Sequence, residues 1–124
     1  MRTTLLRHVL ADGSWHVDWL IEVEATARKR LPTFRLEDRP DRPSVDRFAA
    51  VLLGDHRRAY LDYEGPVSGD RGRVEQLATG QVVEVSGWPT SIDVTVDLES
   101  RRWCWRGEPA GDARWIFERR AVRE

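Results

Sequence analysis

The sequence predicts an all-β domain, a small closed or partly closed β-barrel with a few short helical or loop excursions. Three observations predict it. Apolar and polar residues alternate over several stretches, which puts one residue class on each face of an extended chain. Short strand candidates recur at intervals of roughly 8–12 residues, the spacing of sandwiches and barrels. Glycine, proline and aspartate punctuate the gaps between them. A chain of 124 residues fits one domain over 1–124, with no internal repeat.

The first strand candidate is "HVDWLIEVEA", with Val17, Trp19, Ile21 and Val23 on one side. The proline-bearing stretch "LEDRPDRPSVD" predicts a loop. "RFAAVLLGDH" reads either as a strand or as a helix capped by Ser44 or Asp46 and ended by Gly54. Tyr60-Leu61-Asp62-Tyr63-Glu64 alternates like a strand and runs into a loop with Gly65, Pro66, Gly69 and Gly72. "VEQLATGQVVEVS" suggests two short strands around Gly80. "IDVTVDL" alternates without a break, Ile92, Val94, Val96 and Leu98 against Asp93, Thr95 and Asp97. "RWCWRGEPAGDARWIFERR" predicts two strands joined by a turn containing Gly107, Pro109 and Gly111.

Composition excludes several classes. A net charge of −1 provides no global field to draw the chain to nucleic acid. Lys29 is the single lysine among the 20 basic residues; arginine offers bidentate phosphate contacts that lysine does not, although coding bias explains the excess as well. Cys104 is the only cysteine, so neither an internal disulfide nor a multi-cysteine zinc motif is available. A packed small residue is the expectation there, with a reactive thiol as the alternative. No apolar run reaches the ~18–20 residues needed to span a bilayer. The N-terminal patch is broken by Arg7 and His8 and does not read as a signal peptide; the expected compartment is the cytoplasm.

The three histidines, His8, His16 and His56, carry the chemistry. In "WHVDW", His16 and Asp18 project from one face of a strand, ~6.6–7 Å apart along the chain. If the tryptophans opposite face the core, the pair faces water as a polar face. If a sheltered site exists, a His-x-Asp pair plus a distant histidine forms a metal-binding triad. Nitrogen and oxygen donors without thiolate favour manganese, iron or zinc over copper(I) or an iron–sulfur cluster.

The segment "DHRRAYLDYEGPVSGDRG" resembles the Asp-His-x-x-x-Tyr-x-x-(Phe/Tyr)-Glu-Gly-x-(Ile/Val)-x-x-Gly stretch of the 3′-phosphoesterase domain of bacterial DNA ligase D. "HVDWLIE" resembles the His-Tyr-Asp strand of that family, His8 stands where an upstream histidine is expected, and the C-terminal hairpin is similar to the closing strands. The short form looks most like the stand-alone members. The resemblance implies a small barrel whose interior holds a divalent metal, typically manganese, with zinc or another first-row metal as alternatives. It implies trimming of nucleic-acid 3′ ends, removing a terminal ribonucleoside and then the 3′-phosphate, beside ligase and polymerase end-joining proteins and away from membranes. By this resemblance His8, His16 and Asp18 are metal ligands, and His56 and Tyr60 are catalytic. His56 engages the scissile phosphate, and Asp55 and Glu64 are supporting.

Three departures mark this chain. His8 and His16 are eight apart, two more than is usual for the family, so residues 9–15 must bulge, which Gly13 allows. Leu20 occupies the position of an expected arginine, and Asp38 that of an expected lysine. Arg35, Arg47, Arg57 or Arg71 are candidates to bind phosphate instead, Arg35 first. Tyr60 reads equally as a core aromatic. Two other functions compete: a catalytically degenerate module that keeps a metal or phosphate pocket for a nucleic-acid end or partner, and a cupin-like metalloenzyme with a His16–Asp18–His56 facial triad. Small phosphoesters are the alternative substrates.

Overall fold

A computed structural model describes residues 1–24 and 30–122. Its strands are β1 (Arg2–Val9), β2 (Trp15–Ile21), β3 (Arg30–Leu36), β4 (Arg47–Arg57), β5 (Gly65–Pro66), β6 (Arg73–Ser86), β7 (Ile92–Leu98), β8 (Arg101–Pro109) and β9 (Arg114–Arg120). They run in the order β1-β2-β3-β4-β9-β8-β7-β6-β5, and a β1–β6 pairing closes eight of them into an antiparallel barrel. Closure removes the exposed sheet edges that invite aggregation. Two four-stranded meanders, β1–β4 and β6–β9, meet at the β1/β6 and β4/β9 seams. The segment 58–72, which carries β5, crosses from one meander to the other.

Alternation sorts the side chains. Leu5, Val17, Trp19, Phe34, Phe48, Trp105 and Phe117 fill the barrel. Their rings meet edge-on or stacked, as with Phe34 on Phe117 at 5.1 Å and 84° and Phe48 on Phe117 at 5.1 Å and 15°. Buried indoles need hydrogen-bond acceptors: Trp19 Nε1 donates to Thr3 Oγ1 at 2.8 Å, and Trp105 Nε1 to the Pro40 carbonyl at 3.0 Å. Leu6, Leu20, Leu31, Leu61 and Val74 form a second core on the outer wall. It exists because segment 58–72 lies over that wall, where Thr4 Oγ1 donates to the Leu61 carbonyl at 3.2 Å.

Some expectations hold and others need correction. "RFAAVLLGDH" is strand β4, and 37–46 is the expected loop. β2 ends at Ile21, although Val23 still packs on the core; Ala25, the last residue of that predicted strand, lies outside the described residues. Residues around Gly80 form one strand, because Gly80 is no turn: a Cβ there would sit 1.7 Å from the Asp97 carbonyl oxygen, so the glycine lets β6 pass close to β7. Gly107 and Pro109 belong to β8 rather than the turn; a Cβ on Gly107 would meet the Phe117 ring at 2.7 Å. Tyr60 and Leu61 lie in a 3-10 turn, Arg58–Leu61, and β5 is only Gly65–Pro66. The alternation of 60–64 reflects a segment with Leu61 buried beneath it and Asp62 and Glu64 exposed, which no ladder requires.

Candidate metal centre on the outer wall

His8 and His16 are direct cross-strand partners, and Leu6 stands opposite Asp18 in the same ladder. Residues directly opposite share a face, so His8, His16 and Asp18 converge. The additional residues between the histidines are taken up by the loop 10–14. There Leu10 N donates to the Ser14 carbonyl at 2.7 Å, Gly13 N to the Leu10 carbonyl at 2.9 Å, and Gly13 has φ 87°. One donor atom from each of the three side chains lies within 4.8 Å of the other two. Among the described residues, this is the one such cluster of His, Cys, Asp and Glu.

The face is the outer one. Leu5, Val17 and Trp19 take the barrel interior, so the interior metal site implied by the resemblance is corrected to a site on the outer wall, roofed by segment 58–72. The interior is already filled by aromatic rings.

Gly72 seats that roof. Its φ is +82°, and a Cβ would lie 1.8 Å from the Val9 carbonyl oxygen, so only glycine permits the loop to meet the end of β1. The neighbouring Arg71 carbonyl is thereby brought 2.6 Å from His8 Nε2. A carbonyl only accepts, so Nε2 carries the hydrogen and Nδ1 keeps its lone pair for a ligand, as in metal sites whose histidines are oriented by a backbone acceptor.

At each of the other two residues one donor atom makes no hydrogen bond. Asp18 is 2% exposed, and its Oδ1 and His16 Nε2 are buried without a hydrogen bond. His16 Nε2 lies 3.4 Å from Asp18 Oδ2, and Arg35 Nε lies 3.7 Å from Asp18 Oδ1, beyond good hydrogen-bonding range. Burial holds the His16 imidazole below its ordinary 6.5, opposed by Asp18 and reinforced by Arg35 and His8. Unsatisfied buried polar atoms are costly. A neutral imidazole, a second imidazole lone pair and a carboxylate are the deprotonated donors that a divalent first-row cation takes, so the residues fit such an ion.

His56 reaches the same wall through a bulge. Thr33 pairs with Leu53 and Leu31 with His56, so Gly54 and Asp55 together oppose Pro32, which has no N–H to offer a ladder. The extra residue reverses the alternation, and His56 shares the outer face with Leu31. His56 Nδ1 donates to the Gly54 carbonyl at 3.2 Å, leaving Nε2 for chemistry. The Tyr60 ring stands 5.9 Å from that of His56, although Tyr60 is placed by the 3-10 turn and not by a regular strand.

A cavity of about 380 Å³ joins these groups, bordered by His8, Asp18, Asp55, His56, Tyr60 and Arg71 among others. Asp55 is an exposed rim residue. Glu64, expected to be supporting, is exposed and does not border the cavity. Arg35 does not border the cavity either, because its cross-strand partner is Asp18 and its guanidinium turns there. Arg47 is exposed at the start of β4, away from the cavity lining. The Arg57 side chain lies outside the described residues. Leu20 is fully buried in the outer core, which is why an arginine is not accommodated. The competing cupin-like triad of His16, Asp18 and His56 does not assemble: His8, not His56, joins His16 and Asp18. Cys104 is half-buried, 3.2 Å from Thr95 Oγ1 and remote from the site. Sequence reading missed the Arg71 carbonyl and Ser68 at the cavity edge; the glycines at 69 and 72 were their signal.

Fold and cluster define a small antiparallel β-barrel with a two-histidine, one-aspartate centre on its outer wall. No family model matches the chain. The chain is similar to glucans biosynthesis protein G of Rhodopseudomonas palustris (strain BisA53), 31% identical over 111 residues, covering 72% of this chain. It spans 22% of that relative's length. Among the described residues no helix is long and apolar enough to cross a membrane.

Proposed function

We propose that the chain is a metal-dependent phosphoesterase acting on nucleic-acid 3′ ends, a 3′-phosphate or a terminal ribonucleotide, in DNA end processing in the cytoplasm. The observation that carries this reading is the convergence of His8, His16 and Asp18, two of them with orphaned donor atoms, beside a cavity that His8 and Asp18 border together with His56 and Tyr60. The resemblance to the 3′-phosphoesterase domain of DNA ligase D supplies the substrate class.

His8 Nδ1, His16 Nε2 and the Asp18 carboxylate would hold the cation, manganese by preference. When bound, the ion supplies charge neutralisation at the phosphoryl group. His56 does the proton work: with Nδ1–H held by Gly54, Nε2 accepts a proton when neutral and gives one to a leaving alkoxide when protonated. The Tyr60 hydroxyl donates to a phosphate oxygen. Arg71, whose guanidinium is folded back on Ser68, adds positive charge at the cavity rim. Arg35 shields Asp18 and balances its charge.

The test is manganese-dependent removal of a 3′-phosphate or terminal ribonucleotide from a primer–template, with His16→Ala as control. Turnover lost in the variant with the fold intact supports the reading; equal turnover in both overturns it. A non-catalytic module that retains the metal or phosphate pocket is the second reading. Buried Leu20 at the arginine position favours it. Salt-sensitive binding of DNA ends without turnover would select it.

A further inference from the structure

A second cavity, of about 400 Å³, opens at the barrel mouth and is bordered by His16, Arg7, Trp15, Arg42 and Leu77 among others. His16 is a member of the metal cluster, so the cluster stands between this cavity and the one holding His56. Trp15 is 57% exposed, the one aromatic among the exposed large hydrophobic side chains of the described residues. One face of its ring is covered by the Arg7 guanidinium at 4.7 Å. Arg7 Nε is buried without a hydrogen bond, and the nearest carboxylate to that guanidinium, Glu75, is 3.8 Å away. Arg39 is neutralised by Asp41 at 2.7 Å, whereas Arg42 is exposed and has no ion pair among the described residues. The mouth therefore offers an aromatic plane, backed by a cation, and a second cation beyond it, with the exposed carboxylates Glu37 and Asp38 also on its border.

An exposed indole backed by arginine is a platform for a flat π-system. We propose that this mouth binds the terminal nucleoside of the substrate, its base stacked on Trp15 and an adjoining phosphate paired with Arg42, while the scissile phosphate lies across His16 toward His56. The inference rests on the reading of His8, His16 and Asp18 as a metal-dependent phosphoesterase centre, and it adds the side on which the nucleoside sits. Stacking tolerates any base, so the pocket selects nucleotides over other phosphoesters without reading sequence.

The experiment is equilibrium binding of adenosine 3′-monophosphate, the dinucleoside phosphate ApA, inorganic phosphate and glucose 1-phosphate in the presence of manganese, to the full chain carrying His56→Ala to prevent turnover, alone and combined with Trp15→Ala, Trp15→Phe or Arg42→Ala. The expected result is that Trp15→Ala weakens adenosine 3′-monophosphate by roughly five- to a hundredfold more than it weakens inorganic phosphate. Trp15→Phe should recover most of the loss, and Arg42→Ala should weaken the dinucleoside phosphate ApA more than the mononucleotide. Nucleotide binding indifferent to Trp15 overturns the proposal. So does glucose 1-phosphate binding with equal affinity and the same dependence on Trp15, or no binding of any probe. Because binding is read without turnover, a chain that binds nucleotides through Trp15 yet hydrolyses nothing would defeat the enzymatic reading and leave the pocket standing.

Discussion

His8 and His16 face each other across the β1–β2 ladder with ring centroids 4.9 Å apart at 76°. That pairing, set by the loop 10–14, fixes two nitrogen donors on one hairpin, and segment 58–72 covers them. The third donor, Asp18, follows from period-2 alternation alone. The site is thus preformed on one hairpin, and the roof completes it.

Gly72→Ala should break this arrangement from outside the cluster. The Cβ would overlap the Val9 carbonyl and strain a left-handed φ, at a cost of about 1–3 kcal/mol. The Arg71 carbonyl then withdraws from His8, and metal affinity should fall by roughly 10–100-fold, the usual effect of losing such an orienting partner. Denaturant unfolding and metal titration of the same variant check both effects.

Deleting Gly54 and Asp55 together should place His56 opposite Pro32 in a regular β3–β4 ladder and turn its side chain toward the barrel interior. The expected outcome is loss of hydrolysis with metal binding retained, because His8, His16 and Asp18 lie on other strands. Metal titration beside a turnover assay separates the two; hydrolysis surviving the deletion would show that the bulge does not aim the catalytic group.

Asp18→Asn should make the metal-free protein more stable, by about 1–2 kcal/mol, because a buried carboxylate with an unsatisfied oxygen is replaced by a neutral group. It should also remove stabilisation by manganese, which for the parent amounts to about 2.7 kcal/mol at a hundredfold excess over Kd. Thermal unfolding with and without manganese reads both changes.

The His16 imidazole predicts a pH dependence. Its folded value lies below 6.5, chiefly through burial, so the unfolded chain binds more protons than the folded one as pH falls below 6.5. Stability of the metal-free protein is therefore full above that value and declines as pH drops from 6.5 toward the lowered folded value. His16→Gln should flatten this part of the profile, measured as unfolding midpoint against pH.

Much of the fold was legible because the strands of a closed barrel have two distinct faces. "IDVTVDL" gives β7 residue for residue. The errors arose where backbone packing, which alternation does not encode, determined the outcome. Gly80 and Gly107 looked like turns but permit close contacts within strands. Tyr60 and Leu61 alternate because segment 58–72 buries one side against the outer core. At the site, His8, His16 and Asp18 were legible as a group from spacing and resemblance, and the cluster in the fold agrees with that grouping. Their placement outside the barrel was not, since it depends on Trp19 and Phe34 filling the interior. The mouth pocket was illegible too, because Trp15 and Trp19 have the same sequence parity and only the fold exposes one of them.

The most direct measurement is a manganese titration followed by electron paramagnetic resonance, in which the six-line signal of the free ion vanishes on binding. One tightly held manganese per chain is expected, lost in Asp18→Asn and in a His8→Ala, His16→Ala double variant. A signal that stays at full strength with the folded parent, or binding that persists when these three side chains are removed, would contradict that expectation.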